Sequence, residues 1–339
     1  MRVVLLTTSY PTSPGDPSGH FVQAHVEELA HAGADVTVLA PAATAPPGAF
    51  GPGRICVRAL RGGDLFSWPG AFARLRERPT RLASLVPFTA SVVSALREAG
   101  PVDRLVAHWL IPCASLLALL GDAPLEAWAH GADVRAFCRM PALARRAVAS
   151  ALVDRGTSTS FVFVSHDLRA RLLASLPAAT AKRIHERSRV TPAPIRVPAR
   201  AALADPRLPG ELEGGYVVWV GRQIPSKRPA AAARAATSAG LPLVMIGDGP
   251  LTPPSGAVAL GRLARHDTLR WIAHARALVS TSQVEGAPTV VREARALGVP
   301  VVARPCGDLE RWASLDGGIH LASDDDDVAA ILRRVALSA

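Results

Sequence analysis

Short, mostly apolar runs alternate along this chain with longer stretches whose apolar positions recur every three or four residues. MRVVLLTT opens it, and runs at 34–39, 104–107, 125–129, 160–164, 216–220, 242–246, 277–280 and 300–303 follow. Runs of this length without polar alternation suit strands buried on both faces, as in a parallel sheet. Between the first two lie the loop SYPTSPGDPSG and a segment with Phe21, Val22, His25, Val26 and Leu29 on one helical face. Strand, glycine-bearing loop, helix and strand in that order predict a doubly wound α/β domain, which binds ligands at the carboxyl ends of its strands.

The second half restarts the same pattern. A strand at 216–220 leads to Gly221-Arg222-Gln223-Ile224-Pro225-Ser226-Lys227, an alanine-rich helix, another strand and GDGP. Between the halves runs RVTPAPIRVPARAALADPRLPGELEGG, rich in proline, ended by glycine and weakly periodic, the composition of a linker. With 339 residues, the chain is long enough for two domains of roughly 150 residues each. The expected domains are 1–198 and 199–339, each Rossmann-like.

Composition narrows the function classes. The apolar run 105–120 is interrupted by His108 and is shorter than the ~18 residues of a membrane span. The opening apolar run is too short for a signal-peptide core, so the expected location is the cytoplasm. Cys56, Cys113, Cys138 and Cys306 are scattered with no CxxC pair, which points to free core thiols rather than a zinc site or disulfide framework. A formal charge of +10 suits anionic partners, but aromatic residues make up only 5%, and base-stacking surfaces need aromatic clusters. Nucleic acid is therefore not the expected partner. The segment SWPGAFARLRERP sets Trp68, Phe72 and Leu75 among Arg74, Arg76 and Arg78. Such a face could touch an anionic membrane surface; the alternative is a helix packed on its domain with a solvated basic side.

Candidate chemistry gathers after the strands. His130 and Asp133 follow the 125–129 run in His-Gly-Ala-Asp; His108 also follows a strand, and there a lone histidine reads as structural. Gly19, at the start of the first helix, reads either as a turn glycine or as a point of close approach to phosphate. Arg222 and Lys227 sit on one turn at a strand's end, where they could neutralise a diphosphate or remain solvated surface charges. The stretch LVSTSQVEGAPTVVREARALGVPVVAR places Glu285 in a loop and Glu293 on the helix after it. Pro288 suits the first helical position, leaving the amides of Thr289 and Val290 directed at the loop, an anion-binding arrangement. The acidic run Asp324 to Asp327 reads as a helix start capped by Ser323 rather than a metal site. GxGxxG and GxxxxGK[ST] do not occur, which removes the dinucleotide and P-loop readings.

Taken together, these motifs resemble the retaining nucleotide-sugar glycosyltransferases of glycosyltransferase family 4. The resemblance rests on SYP…GHFVQAHVEELAHAGADVTVLAP, AHWLIP, HGADV, VSHDLR, VGRQIPSK, MIGDGP and EGAPTVVREARALGVPVVA and spans nearly the whole chain. It implies the GT-B fold, two facing Rossmann-like domains with an interdomain cleft, the first binding the acceptor and the second the donor. By the same resemblance, Arg222 and Lys227 would hold the donor diphosphate and Gly19 would face it. Glu285 would contact the transferred sugar, and Glu293 the ribose hydroxyls. Gly286, Ala287, Thr289 and Val290 would offer backbone amides, and His130 would lie at the reacting centre; Asp133, from its place just past a strand's carboxyl end, is the candidate acceptor contact. Cations and helix-start amides would stabilise the departing nucleoside diphosphate, so no metal or other cofactor is expected.

Two departures accompany the resemblance. Relatives usually continue into a longer helical tail that crosses back to the first domain, whereas this sequence ends at Ala339; domain closure is then expected to rest on something else, such as a homo-oligomer contact. Pro288 stands where many relatives have glycine. Competing readings are a GT-B sugar-nucleotide epimerase or hydrolase and a non-catalytic nucleotide-sugar-binding protein. The donor base, expected near Gly261-Arg262-Leu263, and the acceptor, whether lipid, glycan or small molecule, are left open.

Overall fold

The structure is a computed structural model that describes residues 1–41, 54–67, 70–154, 158–206 and 209–337. It divides into two compact units, Met1–Ile195 and Arg196–Ala339. Trp68 and Ala339, invoked above, lie outside the described residues.

In the first unit the elements run β1 (Arg2–Leu6), α1 (His20–His31), β2 (Asp35–Pro41), β3 (Ile55–Leu60), α2 (Ala71–Glu77), α3 (Leu85–Ala99), β4 (Arg104–His108), α4 (Ser115–Leu120), β5 (Leu125–Ala129), α5 (Ala132–Arg139), α6 (Ala142–Val153), β6 (Thr159–Phe163), α7 (His166–Ala174), α8 (Ala178–Glu186) and β7 (Ser188–Val190). The strands form one parallel sheet in the order β3-β2-β1-β4-β5-β6-β7. The chain order reverses between β1 and β4, and α1 and the turn after β4 therefore emerge side by side. A sheet of this kind presents its chemistry at such a switch point.

The second unit continues with β8 (Val217–Val220), α9 (Pro229–Ala239), β9 (Leu243–Ile246), β10 (Ala257–Gly261), α10 (Arg265–Ala273), β11 (Ala277–Ser280), α11 (Thr289–Ala296), β12 (Val301–Ala303), α12 (Leu309–Ala313), β13 (Ile319–Leu321) and α13 (Asp325–Leu337). Its strands are also parallel, ordered β10-β9-β8-β11-β12-β13. One face buries Leu269, Ile272, Val291, Ala294 and Leu297 of α10, α11 and the turn after α11. The other packs Ala232, Ala236 and Ala239 of α9 with Val328, Leu332 and Ala336 of α13. Each fully buried Leu, Ile or Val contributes roughly 1.5–3 kcal/mol, and the small alanines let the two helices approach closely over the sheet.

The structure departs from the sequence expectations at particular places. Strands β3, β7, β10 and β13 are edge or near-edge members of their sheets, and their runs are too short or too mixed to stand out. β7 takes the first residues of the proline-rich stretch expected to be linker. Pro288 is the N-cap of α11 rather than its first residue, because its ψ of 112° leaves it extended. Asp324, not Ser323, accepts the first-turn amide of α13, from Asp327 at 2.8 Å. Cys56 is exposed, Cys113 fully buried and the other two thiols partly so. In the basic segment α2 has no buried residue, Leu75 is half-buried, and Phe72, Leu82 and Val86 are 48%, 56% and 73% exposed, while Phe88, three residues into α3, is buried. Among the described residues no helix is long and apolar enough to cross a membrane.

Candidate active site

The candidate chemistry of the first unit forms a line of imidazoles. His25 projects from α1, His108 ends β4 and His130 follows β5. His25 Nδ1 lies 3.0 Å from His108 Nε2, and His108 Nδ1 lies 2.8 Å from His130 Nε2. The His108 ring stacks on Trp128 at 5.5 Å and on His130 at 5.0 Å, while Phe21 and Trp109 pack against His130 at 4.9 and 5.1 Å. Burial disfavours the charged forms. It depresses His25 from 6.5 to about 4, His130 from 6.5 to about 3, and His108 well below 6.5. All three rings are therefore neutral at pH 7.

Behind His25 lies Glu126 of β5, which is 2% exposed. Its Oε1 is 4.0 Å from His25 Nε2 and accepts from Trp128 Nε1 at 2.7 Å. Its Oε2 pairs with Arg104 and with Arg189, the latter at 2.8 Å. Burial pushes this carboxyl up, but the two guanidiniums and the indole N–H outweigh burial and leave it below its usual value. Glu126 is a buried carboxylate with its charge compensated.

Asp133 orients the loop that bears His130. One carboxylate oxygen accepts from His130 N at 3.0 Å and Gly131 N at 2.8 Å; the other accepts from Leu110 N at 2.8 Å. The side chain is 0% exposed, and its oxygens are occupied by the protein's own amides. In that geometry both carboxylate oxygens of Asp133, expected to contact the acceptor, hold the backbone of the two turns. Trp109, with φ of 75°, carries the strain of the turn that brings Leu110 to it. Gly19, with φ of 64°, is demanded by the chain itself: a Cβ there would meet the Ser9 carbonyl oxygen at 2.5 Å.

In the second unit, four loops meet at the carboxyl end of the sheet. Gln223 N donates to Asp248 O at 2.8 Å, Gly247 N to Gly261 O at 2.7 Å, and Gln283 N to Ser226 O at 2.9 Å. Gly247 has φ of 127°, and a Cβ there would come within 2.0 Å of the Gly221 carbonyl oxygen, so the loop bearing Arg222 is seated directly on it. Arg222 is half-buried, and loss of water lowers its pKa against the opposing charge of Asp248. Lys227 pairs closely with Glu285, and the Thr281 hydroxyl donates to Lys227 O at 3.0 Å. Glu293, 4% exposed, accepts from Arg265 Nη1 at 2.6 Å. Gly286, Ala287, Thr289 and Val290 line the start of α11, where first-turn amides have no partner within the helix. Gly307 supports that loop, since a Cβ on it would lie 2.6 Å from Gly286 O.

Arg222, Lys227, Glu285, Glu293 and the four amide positions are thus gathered within the second unit, whereas His130, Asp133 and Gly19 belong to the first. Several contributors carried no sequence signal of their own. Glu126 hides in an apolar strand, Arg265 opens a polar helix, and Gly247 and Gly307 are ordinary loop glycines until the approaching backbone is seen. His25 and His108 were visible as residues, but only the strand order makes them neighbours.

Comparison with known proteins agrees with this architecture. Residues 215–337 match the family model described as glycosyl transferases group 1. The Bacillus subtilis (strain 168) chain named for a teichuronic acid biosynthesis glycosyltransferase, TuaC, is 26% identical over 343 residues, covering 94% of this chain and 83% of that one. The sucrose-phosphate synthase of Thermosynechococcus elongatus superposes with a TM-score of 0.71 at 17% identity, over 99% of this chain and 90% of that one. The Anabaena protein HepE, solved in complex with UDP and glucose, gives 0.63 at 16% identity, over 98% and 89%. The chain is a glycosyltransferase with the two parallel-sheet α/β units of the GT-B fold, and the match to the group 1 glycosyltransferase model falls within its second unit.

Proposed function

We propose that this glycosyltransferase is a family 4-like enzyme that moves a sugar from a nucleoside-diphosphate sugar to an acceptor hydroxyl with retention of anomeric configuration and without a metal ion. The observation that supports it best is the placement of Lys227, paired with Glu285, packed near Gly221 on the turn that carries Arg222, and beside the amide-lined start of α11. A leaving diphosphate gains negative charge as the glycosidic bond breaks. Fixed cations and first-turn amides favour that state over the ground state, and partial burial strengthens them. Lys227 would share itself between Glu285 and phosphate, leaving Glu285 to accept from sugar hydroxyls. Glu293, held by Arg265, would accept from the ribose. His130 of the first unit is assigned to the reacting centre, with Asp133 fixing its loop.

The retaining course follows front-face attack, in which the departing phosphate takes the acceptor proton. UDP and its sugars are the first donors to try, given the ligands in the HepE structure. The test is a panel of UDP, GDP, ADP and dTDP sugars in chelator-containing buffer, with candidate acceptors, followed by NMR of the product's anomeric proton. A product of the same anomeric configuration as the donor supports the reading. An inverted product, or turnover only when a divalent ion is restored, would overturn the corresponding part.

Exposed Phe72, Leu82 and Val86 beside Arg76 and Arg78 support contact with an anionic membrane surface, although Arg74 and Arg81 are already paired with Asp64 at 2.8 and 2.9 Å. Cosedimentation with anionic vesicles should fall at high salt; equal binding to neutral vesicles would argue against the basic contribution.

A further inference from the structure

Each neutral imidazole has one N–H and one lone pair, so a line of three joined by two N–H···N bonds has only two consistent arrangements. In the first, His130 donates from Nε2 to His108, and His108 donates from Nε2 to His25. His25 then carries its proton on Nε2, facing Glu126, and His130 Nδ1 keeps a lone pair. In the second every bond is reversed: His25 Nε2 turns a lone pair towards Glu126, and His130 Nδ1 bears a hydrogen. Nδ1 of His130 has no hydrogen-bond partner among the described residues, so the choice decides what that nitrogen offers a ligand.

The far end of the line separates the two. His25 Nε2 is 4.0 Å from Glu126 Oε1. A lone pair aimed at a buried carboxylate is repelled, whereas an N–H aimed at it is attracted. Arg104 and Arg189 engage the other oxygen, Oε2, and leave Oε1 turned to Trp128 and His25. The two arginines disfavour a fully protonated His25 and so keep the line neutral, without favouring its reversed order. Asp133 does not compete, because its oxygens accept backbone amides. The nitrogens face one another in sequence and do not converge on a point, and among the described residues no group of three or more His, Cys, Asp or Glu side chains could hold a metal ion.

We propose that Glu126, acting through His25 and His108, fixes the proton of His130 on Nε2 and so presents a lone pair at Nδ1 to the substrates. That lone pair accepts a hydrogen bond from a sugar or acceptor hydroxyl and repels phosphate oxygens. The assignment rests on the reading of His130 as a reacting-centre residue. Glu126, His25 and His108 are positioning residues that need not touch any ligand.

Histidine labelled with nitrogen-15 in the full chain tests it, using long-range proton–nitrogen correlation at pH 7 without ligand and signals assigned by their loss in His25→Phe and His130→Phe. His130 should show a protonated Nε2 and an unprotonated Nδ1, and His25 should carry its proton on Nε2. A proton on His130 Nδ1 overturns the proposal directly, in the unaltered protein. Glu126→Gln should convert His130 to a mixture of tautomers, and an unchanged single tautomer would remove Glu126 from the account. His25→Phe should lower kcat by about tenfold or more with the donor KM little changed, since a wrong tautomer can cost up to ~10⁴-fold where a carboxylate orients a catalytic histidine; unchanged kcat would remove the relay's function. A chain that transfers no sugar but shows the expected tautomer would refute the functional reading and not the proton order.

Discussion

The two units solve the problem of placing polar groups at the end of a parallel sheet in opposite ways. The first aligns neutral histidines whose hydrogen bonds satisfy one another and keeps a buried carboxylate, Glu126, behind them under two arginines. The second places paired charges near the carboxyl end of its sheet, with Lys227 against Glu285 and Arg265 against the buried Glu293. Neutral imidazoles suit hydroxyl recognition, where a charge would be costly to bury. Under the proposed function, paired cations suit a ligand with mobile negative charge, because each partly buried cation is compensated by its carboxylate until phosphate arrives.

The largest test of that contrast is removal of a second-unit cation. Arg222→Ala and Lys227→Ala should each lower kcat by about 10²–10³-fold, the usual effect of losing one preorganised group at a developing charge. The measurement is nucleoside diphosphate release in the presence of acceptor, and normal turnover would break the leaving-group assignment. Next comes Gly247→Ala, which sets a methyl 2.0 Å from the Gly221 carbonyl at a φ of 127°. Destabilisation of about 2 kcal/mol or more is expected, read as a lower unfolding midpoint in urea.

The histidine line gives the contrast a pH signature. Unfolded histidines bind protons below about pH 6.5, whereas His25 and His130 fold with values near 4 and 3. The folded state then binds fewer protons, so stability present above pH 6.5 is lost as the pH falls from there towards 4 and 3. The loss amounts to roughly 1 kcal/mol per histidine per pH unit. Thermal melts between pH 7.5 and 5 should show it, and His25→Phe should flatten the slope. The smallest expected change is for Glu293→Gln. Exchanging a charge-assisted acceptor for a neutral one costs about 1 kcal/mol, or roughly fivefold in donor affinity, measurable by calorimetry with UDP and a UDP sugar.

Much of the fold was legible because central strands such as β1, β4 and β11 are dominated by apolar runs. The edge strands β7 and β13 were not, since each has only three residues and takes its pairing from its neighbour. In the second unit the candidate residues lie on two short loop-and-helix motifs, so sequence spacing had already grouped them. In the first, His25, His108 and Glu126 are separated by most of the sheet's connectivity, and no local pattern links them. Asp133 is the instructive case: a carboxylate two residues past a glycine looks available, and only burial shows that three backbone amides hold it.

By itself, the sequence determined the class of fold, the doubled pattern of the chain and the kinds of charge available, because apolar periodicity and loop composition are local properties. Tertiary structure alone decided which histidines touch, which carboxylates are occupied and which glycines face backbone. Those depend on strand order and on close approach between segments far apart in the chain, and neither is written in any single stretch of residues.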